Sequence, residues 1–273
     1  MTITFETIYQ KRCTADGKPH FWNPQPMRVT PYCLYGDVDL PIESEWSVES
    51  AIEKVLALGL QLELPVGEWI SELSRKEESQ FSPTLKLLLK SNIRDEAAHF
   101  KGFSDAVNIY GVSDSIARES EHIAKCWLED TSTELEKACY AETGVFLVTL
   151  SILRLAGGSE LSKMAEEISK DETRHVSTNR GTMNLLGMDY TKPSRKLSGI
   201  IFDTIDWICG DLSIPGSELG EKFDFNNDFL QRSSMELIKT GIAKDLNNLM
   251  SIGVYSPPFE NSNASLYSRV VLD

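Results

Sequence analysis

Apolar residues recur along most of this chain at intervals of three and four, the period of one face of an α-helix. Val48, Ile52, Val55, Gly59, Leu62, Val66, Trp69 and Leu73 form one such stripe and predict a helix over residues 47–76. Glu63 lies beside that stripe, one turn from Gly59 and Val66, whereas Glu68, Glu72 and Gln61 fall toward the other side. Pro65 is expected to kink the helix just past Glu63. A second helix starts with Ser82 as N-cap and Pro83 as first helical residue, and should run to Tyr110 and stop at Gly111. Leu89, Ile93, Glu96, His99, Phe100, Phe103 and Val107 share its inner face.

A further helix is expected over 113–129, with Ser113 as its cap, and its His122 is assigned an ordinary surface or packing role. Thr131-Ser132-Thr133-Glu134 has a capping-box pattern and opens a helix to about Leu155, broken by Gly157-Gly158. Leu135, Cys139, Glu142, Phe146 and Thr149 line one side of it. Residues 159–186 continue the period, 194–209 form a helix after Pro193, Ile214-Pro215-Gly216 reads as a loop, and 227–252 form a last helix ending at Gly253. No strand pattern of any length occurs. The chain therefore reads as all-α: an extended arm over 1–45, a helical core over 47–187, added helices over 193–252 and a poorly ordered tail over 253–273. Trp22, in the arm, can approach the core site, but packing on the body is its expected role.

The chemistry lies in two copies of one pattern. Asp95-Glu96-Ala97-Ala98-His99 and Asp171-Glu172-Thr173-Arg174-His175 each put a carboxylate and an imidazole one turn apart on one helix face. The chain has only four histidines, so two belong to these copies. Glu142 and Glu172 are centred on the Gly157-Gly158 turn, and Glu63 and Glu96 on the loop at Ser79-Gln80. Residues equidistant from a hairpin turn sit at one level, so all four helices can offer ligands to one layer. A Glu-x-x-His from each of two helices plus a Glu from each of two others is the ligand set of a di-metal carboxylate bundle. Buried carboxylates cost several kcal/mol unless paired, and Lys and Arg do not recur on these faces, so two divalent cations are the expected counter-charge. Glu63, Glu96, His99, Glu142, Glu172 and His175 are the candidate ligands and catalytic residues, with Glu68 the alternative to Glu63. Asp95 and Asp171 are the expected acceptors for the ligand imidazoles of the opposite helix. Carboxylate and imidazole donors without thiolate suit iron, manganese or a mixed pair. Two such ions close together can bind and reduce dioxygen.

The formal net charge of −14 argues against nucleic-acid and anionic-membrane partners. Five scattered cysteines (Cys13, Cys33, Cys126, Cys139 and Cys209), with no Cys-x-x-Cys, fit a reducing cytoplasm better than a disulfide framework. No signal peptide is expected, and no apolar run approaches the roughly 18 residues of a membrane span.

With these residues placed, the chain resembles the ferritin-like superfamily of di-iron carboxylate proteins, and most of all the small, radical-generating subunit of class I ribonucleotide reductase. Ile168-Ser169-Lys170-Asp171-Glu172-Thr173-Arg174-His175, followed by Gly181-Thr182-Met183-Asn184-Leu185-Leu186, carries most of the likeness. The resemblance covers about residues 47–252 and is specific at the six ligand positions. It implies a four-helix bundle core with additional helices, a homodimer, two Fe ions or a Mn/Fe pair, and dioxygen as co-substrate. It also implies a large catalytic subunit docked by the tail ending Tyr267-Ser268-Arg269-Val270-Val271-Leu272-Asp273.

The chain departs from that family in three respects. Glu63 stands where the family typically has Asp, and the chain is short for the family. Phe103 stands where the family usually places its radical tyrosine, four residues after the first ligand histidine; that excludes a tyrosyl radical there, although some such reductases have Phe and use Mn/Fe. The doubled Asp-Glu-x-x-His also resembles di-iron N-oxygenases and other oxygenases of the superfamily. A stand-alone oxygenase or oxidase acting on a small organic substrate is the alternative, and it predicts an apolar pocket lined by residues such as Phe100, Phe103, Val145 and Phe146. An iron-binding or storage protein is a third reading; it needs a cage that the tail and added helices make awkward. Hydroxylation of tRNA is disfavoured by the acidic charge.

Overall fold

Ser82 accepts a hydrogen bond from the Leu85 N–H at 3.2 Å, and Pro83 follows it as the first helical residue, so the chain turns into a long helix where the cap pattern places it. This is seen in a computed structural model, which describes residues 4–28, 48–189 and 193–209. Every regular element among them is helical: α1 (Phe5–Arg12), α2 (Val48–Lys76), α3 (Pro83–Tyr110), α4 (Asp114–Leu128), α5 (Glu134–Ala141), α6 (Leu147–Ala156), α7 (Gly158–Leu185) and α8 (Arg195–Cys209). The expected all-α class is thus observed. The expected loop and helix over 214–252, the tail over 253–273 and much of the arm lie outside the described residues. Among the described residues no helix is long and apolar enough to cross a membrane.

Helix α2 packs on α3, α4, α5 and α6, and α7 packs on α3, α5 and α6. Its stripe is buried as the period requires, with Ile52, Leu62 and Val66 fully enclosed. Each such aliphatic side chain contributes roughly 1.5–3 kcal/mol by leaving water. Two glycines set how closely α2 approaches α3. A Cβ on Gly59 would lie 2.6 Å from the Phe103 ring, and one on Gly67 would lie 3.2 Å from Glu96 Cβ. These positions stand one turn before and one turn after Glu63, so the helices meet most tightly at the level of that carboxylate. Helix α2 runs through Pro65 without a break.

Three expectations need correction. The arm is not extended throughout: Phe5–Arg12 is helical, because Thr4 caps the Thr7 N–H at 3.2 Å and Ile8 is buried against the body. The capping box belongs to Thr133 and Glu136, two residues later than the pattern at Thr131 suggests. The helix that follows is not one uniform α-helix. Glu142–Phe146 forms a π-helical turn between α5 and α6, where the Leu147 N–H reaches back five residues to the Glu142 carbonyl. The Gly157-Gly158 break is where expected, with Gly158 at φ 71°, a conformation that favours glycine.

Candidate metal centre

Four helical rods deliver the six side chains to one place. Glu63 comes from α2, Glu96 and His99 from α3, Glu142 from the first residue of the π turn, and Glu172 and His175 from α7. All six are buried, none more than 1% exposed. Their donor atoms form two groups: Glu63, Glu96, His99 and Glu172 in one, and Glu96, Glu142, Glu172 and His175 in the other. Within each group the donor atoms lie within 4.8 Å of one another. Glu96 and Glu172 belong to both groups, one oxygen toward each imidazole. His99 Nδ1 is 3.6 Å from Glu96 Oε2 and 3.5 Å from Glu172 Oε1. His175 Nδ1 is 2.8 Å from Glu96 Oε1 and 3.4 Å from Glu172 Oε2. The terminal carboxylates complete the pattern, with Glu63 Oε2 3.3 Å from His99 Nδ1 and Glu142 Oε1 3.7 Å from His175 Nδ1. The imidazole rings stand 5.8 Å apart between centroids.

The outer nitrogens are engaged across the helix pair. His99 Nε2 meets Asp171 Oδ2 of α7 at 3.3 Å, and His175 Nε2 meets Asp95 Oδ2 of α3 at 3.1 Å. An imidazole donating its Nε2 proton to a carboxylate keeps its Nδ1 lone pair free to bind an ion. Each aspartate is backed by a guanidinium: Arg12 reaches Asp95 at 2.5 Å, and Arg174 pairs with Asp171. Basic side chains therefore do approach this region, against the expectation from the inner faces alone, but they partner the aspartates and leave the four glutamates unbalanced.

That imbalance tests whether ions fit. Glu63 Oε1, both oxygens of Glu96, Glu142 Oε1, both oxygens of Glu172 and His175 Nδ1 are buried without a hydrogen-bond partner among the described residues. Burial pushes Glu63 and Glu142 well above the ordinary carboxylate range. Burial acts the same way on Glu96, but the imidazoles of His175 and His99 outweigh it and hold that carboxyl low. Burial alone would lower His99 and His175, yet the surrounding carboxylates raise both well above the ordinary imidazole value. Two divalent cations would balance the formal charge of these four glutamates and occupy the six idle oxygens. The cluster can hold metal.

The other anticipated residues fall as follows. Glu68 is exposed and stands outside both groups, as does His122 on α4. Phe103, Val145 and Phe146 are buried on the turns that follow His99 and Glu142, while Phe100 is half-buried. Trp22 does both things considered for it. Its ring packs where a Cβ on Gly102 would collide, and it lies 6.2 Å from the His99 ring.

Three features of the site are not among the anticipated residues. Asn179 donates to Glu142 Oε2 at 2.7 Å; it stands four residues after His175, where the first copy has Phe103, so aligning the two copies points to it. Arg12 lies in an arm without periodicity and has no signal in the sequence. The π turn has none either. Such turns insert an extra residue in a helix and are frequent at functional sites. A scan against protein-family models finds no match to the chain, and comparison with curated proteins and with solved structures finds none.

Proposed function

We propose that this protein is an oxygen-activating, non-heme di-metal carboxylate oxidoreductase of the ferritin-like four-helix bundle type, similar to the small subunit of class I ribonucleotide reductase. The single observation carrying this reading is the pair of overlapping ligand groups that share Glu96 and Glu172, with six buried carboxylate oxygens lacking a hydrogen-bond partner among the described residues. In this reading Glu63 and His99 would hold one ion and Glu142 and His175 the other, with Glu96 and Glu172 each able to offer an oxygen to both. Iron, or a manganese and iron pair, would supply the electrons that reduce dioxygen.

The protein's own side chains set the conditions for that chemistry. Asp171 and Asp95 keep the two Nδ1 atoms directed at the cluster. Asn179 holds one Glu142 oxygen and leaves the other free. Phe103, Val145 and Phe146 exclude water from the turns beyond the ligands. Glu63 has no such partner: its Oε1 is without a hydrogen bond among the described residues.

A second reading is supported by Phe103. A fully buried phenylalanine in that position cannot hold a tyrosyl radical, which favours either a Mn/Fe radical subunit or a stand-alone oxygenase acting on a small organic substrate.

Anaerobic loading with Fe(II), alone and with Mn(II), followed by oxygen exposure and EPR tests the proposal. Two metals per chain and oxygen consumption are expected. A mixed-metal signal favours the reductase reading, and substrate-dependent oxygen uptake favours the oxygenase. Fewer than two metals per chain, or no reaction with oxygen, rejects the proposal.

A further inference from the structure

The two halves of the centre are built alike but braced differently. In the second copy the brace is local: Arg174 pairs with Asp171 one turn away on α7, and Asp171 meets His99 Nε2. The matching position in the first copy is Ala98, which has no charge to offer Asp95. Its guanidinium comes instead from far along the chain. Arg12, at the end of α1 and only 2% exposed, reaches Asp95 Oδ1 at 2.5 Å, while Asp95 Oδ2 meets His175 Nε2.

The arm is shaped to deliver that side chain. Ile8 is buried, and Phe5 packs where a Cβ on Gly181 would collide. The Arg12 carbonyl accepts from the His20 N–H at 2.9 Å, turning the chain back over α3. The Phe21 ring then meets two guanidinium groups, that of Arg12 at 4.5 Å and that of Arg94 at 3.8 Å. A guanidinium stacked on an aromatic ring and paired with a carboxylate has few orientations left.

We infer that Arg12 is a positioning residue for the ion held with His175, standing in from the N-terminal arm for the guanidinium that α3 lacks at Ala98. It holds Asp95 aimed at His175 Nε2, and so keeps His175 Nδ1, which has no hydrogen-bond partner among the described residues, facing the cluster. The inference rests on the di-metal reading and adds to it that the brace behind His175 comes from the arm, whereas the brace behind His99 is local to α7.

The test is anaerobic Co(II) titration of the full chain, followed by calorimetry and by the visible absorption of the bound ion. The unaltered protein should bind two Co(II). Arg12→Ala should weaken one binding step by about 10–100-fold, the usual range for loss of such an outer partner, and leave the other step unchanged. Adding Ala98→Arg to that variant should restore the weakened step, because arginine at 98 stands to Asp95 as Arg174 stands to Asp171. Lys11→Ala, an exposed neighbour on α1, should change neither step. A uniform loss at both steps, no loss at either, or no recovery on adding Ala98→Arg would overturn the role of Arg12. Should Arg12→Ala lose its helical circular dichroism, the double variant decides alone: two steps of unaltered affinity uphold the role and a weakened step overturns it. An unaltered protein that binds fewer than two ions would instead remove the di-metal reading, and this inference with it.

Discussion

Asn179 donates a 2.7 Å hydrogen bond to Glu142 Oε2, while Phe103, its counterpart four residues after the other imidazole, has no polar atom to give Glu63. The two halves share their ligands but differ in how firmly the terminal carboxylate is held. Glu142 has one oxygen fixed before any ion arrives, so ordering it costs less on binding. Two ions should therefore bind in unequal steps. Asn179→Leu should weaken the tighter step by about tenfold and bring the two affinities together. Calorimetric titration with Mn(II) resolves the steps, and an unaltered ratio would contradict the assignment.

Glu63 serves one group of donors, whereas Glu96 serves both. Glu63→Gln should lower the metal content toward one ion per chain, and Glu96→Ala should abolish tight binding of both. The same Glu63→Gln change should stabilise the metal-free protein, because Glu63 is buried with Oε1 unpaired and burial already pushes its carboxyl up. A gain of roughly 1 kcal/mol corresponds to about 2–4 °C for a chain of this size. Metal analysis and thermal denaturation read the two effects separately.

The six inner residues are legible in the sequence because two constraints act together: a 3-4 period that assigns each to an inner face, and hairpin turns that bring each pair to one level. Glu142 and Glu172 flank the Gly157-Gly158 break, and Glu63 and Glu96 flank a turn at Glu78–Gln80. Asp95 and Asp171 follow from the need of a ligand imidazole for an outer acceptor. Arg12 is not legible, because its contact with Asp95 spans 83 residues and no periodicity relates them. The π turn escapes for a different reason. It changes the helical phase by one residue without changing the apolar composition, so Leu135, Cys139, Glu142, Phe146 and Thr149 still read as one α-helical face.

Gly59 is the point at which packing and site meet. A methyl group there would lie 2.6 Å from the Phe103 ring, far inside contact distance, so Gly59→Ala should cost about 1–3 kcal/mol by overpacking. Phe103→Leu added to it should recover part of that loss, since the smaller side chain leaves room. Urea denaturation of both single variants and the pair measures the coupling. Strict additivity would show that the ring moves away without resistance.

Protonation should make the metal-free and metal-loaded proteins respond to pH in different ways. Glu63 and Glu142 lie above their ordinary value of 4.5, and His99 and His175 above 6.5. In each case the folded metal-free state holds protons that the unfolded chain has released, so its stability falls as pH rises. For the glutamates the loss begins above pH 4.5, and for the histidines above 6.5, each continuing through the folded-state value. Glu96 and Asp95 act oppositely, since both are held below their ordinary values, and their contribution is lost only as pH falls beneath that range. From about pH 5 to 8 the net slope for the metal-free protein is therefore downward. Bound cations replace those protons, so the loaded protein should be nearly flat over the same interval, and metal affinity should rise with pH as protons are released. Denaturant midpoints across that interval, with and without Mn(II), check the slopes. Calorimetry in two buffers of different ionisation enthalpy counts the protons. Parallel stability curves with no proton release would mean that the acids and imidazoles of this cluster are not the groups that bind the ions.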